Sequence, residues 1–193
     1  MAVRTRRGEP LSLDEIHATA LRLIDAGGAE ALSMRKLAAE LDVNPMSLYH
    51  HVENKTALLA GVCGLAISQL RLPPDDGRPW QEQLRALAHA YRSLAQAHPR
   101  LWAYVHEHPE VVDRKEGMGA VLRRILHAAG VPERDVEATS EILYAFVTGF
   151  VYAETRDHLG EHPGAEDVDR SYEIAIRLIL AGLASGEAFD TQP

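Results

Sequence analysis

The chain has 193 residues, 46% of them hydrophobic, and a net charge of −8, which suits one compact body with a core of its own and a small appended domain. No apolar run approaches the roughly 20 residues of a membrane span. The first residues, with three arginines before Gly8-Glu9-Pro10, lack the apolar stretch of a secretion signal, so a cytoplasmic protein is expected.

The acidity is unevenly spread. Residues 1–55 hold seven Lys/Arg against eight Asp/Glu, net −1, and residues 56–193 hold 13 against 20, net −7. A nucleic-acid partner is therefore compatible with the N-terminal part, where Arg4, Arg6 and Arg7 form the one local basic cluster. That cluster suits phosphate or minor-groove contact and equally suits a solvated tail. The single cysteine, Cys63, allows no intramolecular disulfide, and in its apolar helical context it reads as a small core residue.

In chain order, Leu13, Ile16, Ala20, Leu23 and Ile24 recur at helical spacing behind a Ser12 cap, which predicts helix 1 over 13–27. Gly27-Gly28 stops it. Ser33 is the next N-cap, and Leu37, Ala38 and Leu41 give helix 2 a buried face while Arg35, Lys36 and Glu40 stay outside. Asp42-Val43-Asn44 breaks the chain, and Asn44 followed by Pro45 pairs a good N-cap with proline at the first helical position. Helix 3 is expected over about 45–51, roughly 10 Å long. A helix that short is held only by packing, here from Leu48 and Val52. Met46, Ser47, Tyr49, His50 and His51 are then left to face outward. Two short helices meeting at a tight break, the second with a mixed polar and aromatic face, form a helix-turn-helix whose second helix suits the major groove of DNA.

The stretch Leu32-Ser33-Met34-Arg35-Lys36-Leu37-Ala38, with Leu41, Val43 and then Ser47-Leu48-Tyr49-His50-His51-Val52-x-Asn54-Lys55-x-x-Leu58-Leu59, resembles the TetR family of transcriptional repressors. Within the family it resembles the branch of the tetracycline repressor, and the likeness is strong over about 12–60, fades near Trp80-Gln81 and is architectural beyond. The resemblance implies a DNA-facing set of Ser33, Arg35, Pro45, Met46, Ser47, Tyr49, His50, His51 and Lys55. Arg35, Pro45, Met46 and Ser47 would read bases, with an Arg fork suited to guanine and the apolar pair to a thymine methyl. Tyr49, His51 and Lys55 would hold phosphates. His50 stands where the branch has a larger aromatic, so the operator sequence should differ.

Helix 4 is expected over about 55–72 as a connector, with the helix-turn-helix domain ending near residue 55 and the second domain occupying 73–193. Pro73-Pro74-Asp75-Asp76-Gly77-Arg78-Pro79 reads as a loop. Helix 5 follows over 80–97, helix 6 from Pro99 to about His106, helix 7 over about 114–129, helix 8 over about 132–159 and helix 9 over about 168–185. No strand-like alternation appears, and the chain reads as all-α with about nine helices. In helix 8, Ala145, Gly149 and Ala153 make a small-residue stripe that allows close helix approach. Helix 9 carries Tyr172, Ile176, Ile179 and Leu183 on one side, with Ile174 and Leu178 beside them, an arc wider than one core face requires. These residues predict a homodimer interface, in keeping with a two-fold protein on a palindromic operator.

The resemblance also implies a small-molecule effector pocket among helices 4 to 8. Its candidate lining is Leu87, Tyr91, Trp102, Tyr104, Val121, Ile125, Phe146 and Phe150, each of which is also a plausible core residue. Aligned by hand with the tetracycline repressor, Leu87 replaces a ligand-contacting amide, Val105 falls near a metal-binding imidazole and Ala153, beside Glu154, near an acid. The chelating set is lost in that alignment, and the expected effector is apolar or aromatic, with no cofactor and no metal. His98, His106, Glu107 and His108 lack the His-Glu-x-x-His spacing of a metal helix. No phosphate loop, nucleophile elbow or cysteine cluster points to an enzyme. A second reading is a small-molecule-binding or interaction protein that keeps the helix-turn-helix only as scaffold.

Overall fold

The computed structural model describes residues 11–112, 117–155 and 165–189. Among them are nine α-helices, two short 3-10 turns and no strand: α1 (Leu13–Gly27), α2 (Met34–Leu41), α3 (Pro45–Leu48), α4 (Lys55–Ser68), α5 (Trp80–Ala97), α6 (Pro99–Glu107), α7 (Met118–Ala128), α8 (Glu133–Thr155) and α9 (Ala165–Ser185). The 3-10 turns are Pro109–Val111 and Glu187–Phe189. The arginine cluster 4, 6, 7 lies outside the described residues, as do the expected ends of helices 7 and 8 over 114–116 and 156–159.

The chain folds into two compact units, Met1–Leu70 with Ala97–Val112, and Arg71–Gln96 with Asp113–Pro193. Sequence composition divides the chain once, near helix 4. The compact units divide it three times, because α6 packs on α1, and the 3-10 turn after it on α4, in the first unit.

That first unit is built from capped, short helices. Ser12 Oγ accepts from Glu15 N–H at 3.2 Å, and Ser33 Oγ from Lys36 N–H at 3.2 Å. Asn54 Oδ1 accepts from Ala57 N–H at 2.8 Å and starts α4, a cap that the expected helix 4 did not include. The core collects Ile16, Ala20 and Ile24 of α1, Leu37 and Ala38 of α2, Leu48, and Leu58, Val62 and Ala66 of α4, all fully buried. Leu101, Trp102 and Val105 of α6 are buried too. α1 crosses α4 closely at Gly61, where a Cβ would stand 2.2 Å from His17 Nε2. Cys63, next to this crossing in α4, is buried, and burial pushes its thiol up to about 12. The thiol is protonated and inert at neutral pH, as a core residue should be.

The second unit holds α5, α7, α8 and α9. α7 ends in a Schellman turn: Val131 N–H donates to Leu126 O at 3.1 Å, Gly130 N–H to His127 O at 3.0 Å, and Gly130 has φ +84°. The loop after α4 is fixed to this unit by Arg124, which donates to Pro73 O at 2.8 Å and pairs with Asp75 at 2.8 Å. Gln83 Nε2 adds a bond to Arg78 O at 2.8 Å. α4 is shorter than expected and α9 longer, beginning at Ala165. Pro73 keeps Leu72 out of helical backbone, and α4 already ends at Ser68.

His17 Nε2 is buried without a hydrogen-bond partner among the described residues, and burial holds the imidazole below its ordinary value against the weaker pull of Asp14. Above pH about 6.5 the ring is neutral in folded and unfolded chains alike and its contribution is complete. As pH falls below that value the unfolded chain takes the proton first, so stability is lost toward the lower folded value. Melting temperatures between pH 7.5 and 5 should therefore fall more steeply for the wild type than for His17→Asn. Equal slopes would contradict this.

Candidate functional site

The break between α2 and α3 is a second Schellman turn. Val43 N–H donates to Ala38 O at 2.9 Å and Asp42 N–H to Ala39 O at 3.2 Å, with Asp42 left-handed at φ +55°. Aspartate tolerates that backbone where branched side chains do not. Asn44 then caps α3, its Oδ1 accepting from Met46 N–H at 2.9 Å, with Pro45 at the first helical position.

α3 is shorter than the sequence suggests. Helical bonding stops at Leu48 and tightens, with His50 N–H donating to Ser47 O and His51 N–H to Leu48 O. His50 and His51 thus stand on hydrogen-bonded turns and not on helix. Leu48 and Val52 are buried and anchor the segment, as the apolar spacing requires. Met46 is 67% exposed and Tyr49 48%, and Pro45, His50 and His51 are exposed as well.

Ser47 departs from the expectation. It is only 9% exposed, because a short side chain directly before a fully buried leucine is covered by the packing that buries its neighbour. Its expected place facing base edges is corrected accordingly: Pro45 and Met46 are the exposed pair at the head of α3. Ser33 is spent on capping α2, and Arg35 is exposed in its first turn. Lys55 is half-buried at the first position of α4, behind the Asn54 cap.

Of the expected effector residues, Trp102 and Tyr104 belong to the first unit and the other six to the second. Leu87, Tyr91 and Ile125 are buried, whereas Val121, Phe146 and Phe150 are half-buried. α8 has 23 residues and fully buries only Val136, Thr139 and Val151. Its aromatic rings meet others: Phe146 lies 6.0 Å from Phe150, Phe150 5.0 Å from Tyr172, and Tyr144 6.3 Å edge-on to Tyr91.

Beneath these rings lies a charge cluster that periodicity did not reveal. Arg92 of α5 forks onto Glu154 of α8, with Nε to Oε2 at 3.0 Å and Nη2 to Oε1 at 2.7 Å, and Nη2 also reaches Asp169 of α9 at 2.6 Å. Gln96 adds a bond to Glu154 at 2.8 Å. The Arg92 guanidinium sits 4.7 Å over the Tyr172 ring, whose hydroxyl donates to Ala88 O at 2.8 Å. Bonding to Glu154 holds the Arg92 proton tightly despite burial, and burial raises the Tyr172 phenol. The only sequence signal was an arginine on the apolar side of α5 and an acid beside the Ala153 stripe.

The expected dimer residues divide. Tyr172, Ile176 and Leu183 are buried in their own unit, Tyr172 completely, so they are corrected to core residues: they occupy the inward face of α9, and Ile179 beside them is half-buried. The opposite face carries Ile174 and Leu178, 40% and 68% exposed. On α8, Ala145 is exposed, Gly149 and Ala153 are half-buried, and Ile142 on the same side is 67% exposed. Among the described residues no group of three or more His, Cys, Asp or Glu could hold a metal ion, and no helix is long and apolar enough to cross a membrane.

A unit of short helices with a capped helix-turn-helix, in a chain whose other unit is also helical, is the architecture of a helix-turn-helix transcriptional regulator. Residues 16–62 match the model of bacterial regulatory proteins of the tetR family, and residues 84–179 that of the tetracyclin repressor-like C-terminal domain. An HTH-type transcriptional regulator of Saccharopolyspora erythraea is 31% identical over 82% of this chain and 72% of its own length. The chain belongs to the TetR family. Among solved structures, BioQ with its natural double-stranded DNA operator superposes with TM-score 0.75 at 28% identity, over 91% of this chain and 99% of that one. Streptomyces coelicolor ActR in complex with actinorhodin superposes with TM-score 0.76 at 26% identity, over 92% and 99%.

Four variants probe this geometry. Asp42→Gly should melt at or above the wild type, while Asp42→Val should cost about 1–2 kcal/mol by forcing a branched residue into left-handed backbone. Glu154→Leu alone should cost about 2 kcal/mol, because Arg92 loses its fork and keeps only Asp169 as a charged partner, and adding Arg92→Met should recover much of that loss. Denaturant melts of the four variants measure both.

Proposed function

We propose that this chain is a homodimeric, ligand-responsive repressor that binds a palindromic DNA operator in the cytoplasm and is released from it by a small-molecule effector. The observation that carries this reading is the α2–α3 unit, which leaves Arg35, Pro45, Met46, Tyr49, His50 and His51 on the surface while Leu48 and Val52 fix the segment from behind. Pro45 and Met46 offer apolar contact to a thymine methyl, and Arg35 a fork for guanine. Tyr49, His51 and Lys55 grip phosphates. Lys55 does so with help from the first-turn N–H groups of α4, which favour an anion. The operator complex of BioQ supports the same use of this fold.

The effector is assigned to the second unit, against the half-buried rings of Phe146 and Phe150 and the apolar Val121. An aromatic, largely apolar molecule suits them, and the actinorhodin complex of ActR supports an aromatic ligand for such a body. A second copy is assigned to the open apolar side of α8 and α9, where Ile142, Ala145, Gly149, Ile174 and Leu178 would otherwise meet water. Two copies are also what a recognition helix of four residues requires, since one reads too little DNA alone.

An effector releases DNA only by preferring the DNA-incompetent form, and moving that balance from 1:99 to 99:1 takes about 5.5 kcal/mol of differential affinity. Titration of a fluorescent duplex carrying the DNA upstream of this gene tests the assignment of roles. Lys55→Gln should weaken all duplexes alike and flatten the salt dependence by about one unit of slope, while Met46→Ala and Arg35→Ala should alter the preference among base-substituted duplexes. Loss of preference from Lys55→Gln, or uniform weakening from Met46→Ala, would reverse the roles.

A further inference from the structure

Two of the first three residues after α5, His98 and Arg100, do something that the helix-turn-helix alone does not need. His98, half-buried at the head of α6, turns Nδ1 toward the Asp25 carboxylate at 2.9 Å from Oδ2 and 3.1 Å from Oδ1. A carboxylate only accepts, so the imidazole donates. Two residues on, Arg100 Nη1 donates to Asp25 O at 3.0 Å and to Ala26 O. Both carbonyls lie in the last turn of α1, where helix carbonyls run out of helical donors and the dipole is negative. α1 has no basic residue of its own in that turn. The first turn of α6 therefore supplies from 73 residues away the cap and the counter-charge that α1 lacks.

This end of α1 leads straight into the recognition segment. Gly28 closes α1, its N–H donating to Ile24 O at 2.7 Å, and six residues later α2 begins, followed by the Asp42 turn and α3. α1 is also the helix against which α2 and α4 pack, so its attitude sets where Met46 and Lys55 point. On the other side, His98 directly follows Ala97, the last residue of α5. Within the first unit, two side chains thus tie the start of α6 to the end of α1.

We infer that His98 and Arg100 are positioning residues for DNA recognition: they hold the C-terminal turn of α1 in the attitude that presents α3 and Lys55 in register. The inference rests on the DNA-binding reading and goes beyond it in naming residues that touch no DNA. Loosening the grip lowers the fraction of molecules in the competent attitude, and apparent affinity falls by that fraction. Specific binding needs the register, whereas non-specific binding needs only the charge.

The test compares affinities of the full chain for two labelled duplexes of equal length, the DNA upstream of its gene and a shuffled version of it. Asp25→Asn, His98→Gln, their double variant and Arg100→Gln are measured with the wild type by fluorescence anisotropy, with helix content followed by circular dichroism. The expected result is a fall of about tenfold in the ratio of specific to shuffled affinity, within the usual range of coupling between sites. Shuffled-duplex affinity should be nearly constant, and the double variant no worse than either single, because both break one link. Partial unfolding would lower both affinities equally and leave the ratio unchanged. An unchanged ratio, with or without loss of stability, overturns the inference while leaving the DNA reading in place. A wild-type ratio of one rejects the DNA reading and this inference together. If Asp25→Asn or His98→Gln fails to fold, Arg100→Gln, which leaves the His98–Asp25 pair intact, decides by the same ratio.

Discussion

A helix of four residues has no stability of its own in water, and the first unit is arranged around holding one in place. α3 is fixed at its head by Asn44 and Pro45, at its middle by fully buried Leu48 and at its tail by Val52. Each of these contacts presupposes a neighbour: Leu48 needs the α1–α2 surface, and that surface needs the Asp42 turn to bring α2 round. The close α1–α4 crossing at Gly61 fixes α4, and with it the Asn54 cap and Lys55. The exposed residues of the recognition segment are therefore aimed by burial elsewhere, and their geometry is only as definite as the core behind them.

The second unit depends on a different interaction. Arg92, Glu154 and Asp169 bring α5, α8 and α9 to one point, and the cation lies on the face of Tyr172. Such a cluster is poor value as pure stabilisation, since a buried ion pair recovers little more than its desolvation cost. It fixes which three helices meet and in what register. Around it α8 buries little of its length, so half-buried rings and an open apolar side coexist on one helix. That combination gives one helix two distinct surfaces, the ones that the proposed function assigns to a ligand and to a second copy.

Most of the fold was legible because caps, proline and helical periodicity are local. Ser12, Ser33 and Asn44 start their helices where the sequence placed them, and Gly130 ends α7. The exposed side of the α2–α3 segment was legible for the same reason, apart from Ser47: periodicity says which side of a helix a residue takes, not how closely neighbours cover a short side chain. The long-range pairs were not legible. Arg92 finds Glu154 62 residues away and His98 finds Asp25 73 away, and nothing local in either sequence names the partner. The same limit explains α9, where a wide apolar arc was visible but only packing decides that Tyr172, Ile176 and Leu183 face inward and Ile174 and Leu178 outward.

The account centres on two copies of one short recognition helix acting together on DNA. A hydroxyl-radical footprint of the full chain on the duplex upstream of its own gene tests this most directly. Two symmetric protected segments on one face of the duplex, with centres about 10 base pairs or a multiple of that apart, are the predicted result. A single protected segment, or uniform protection that fades with added salt, would contradict it.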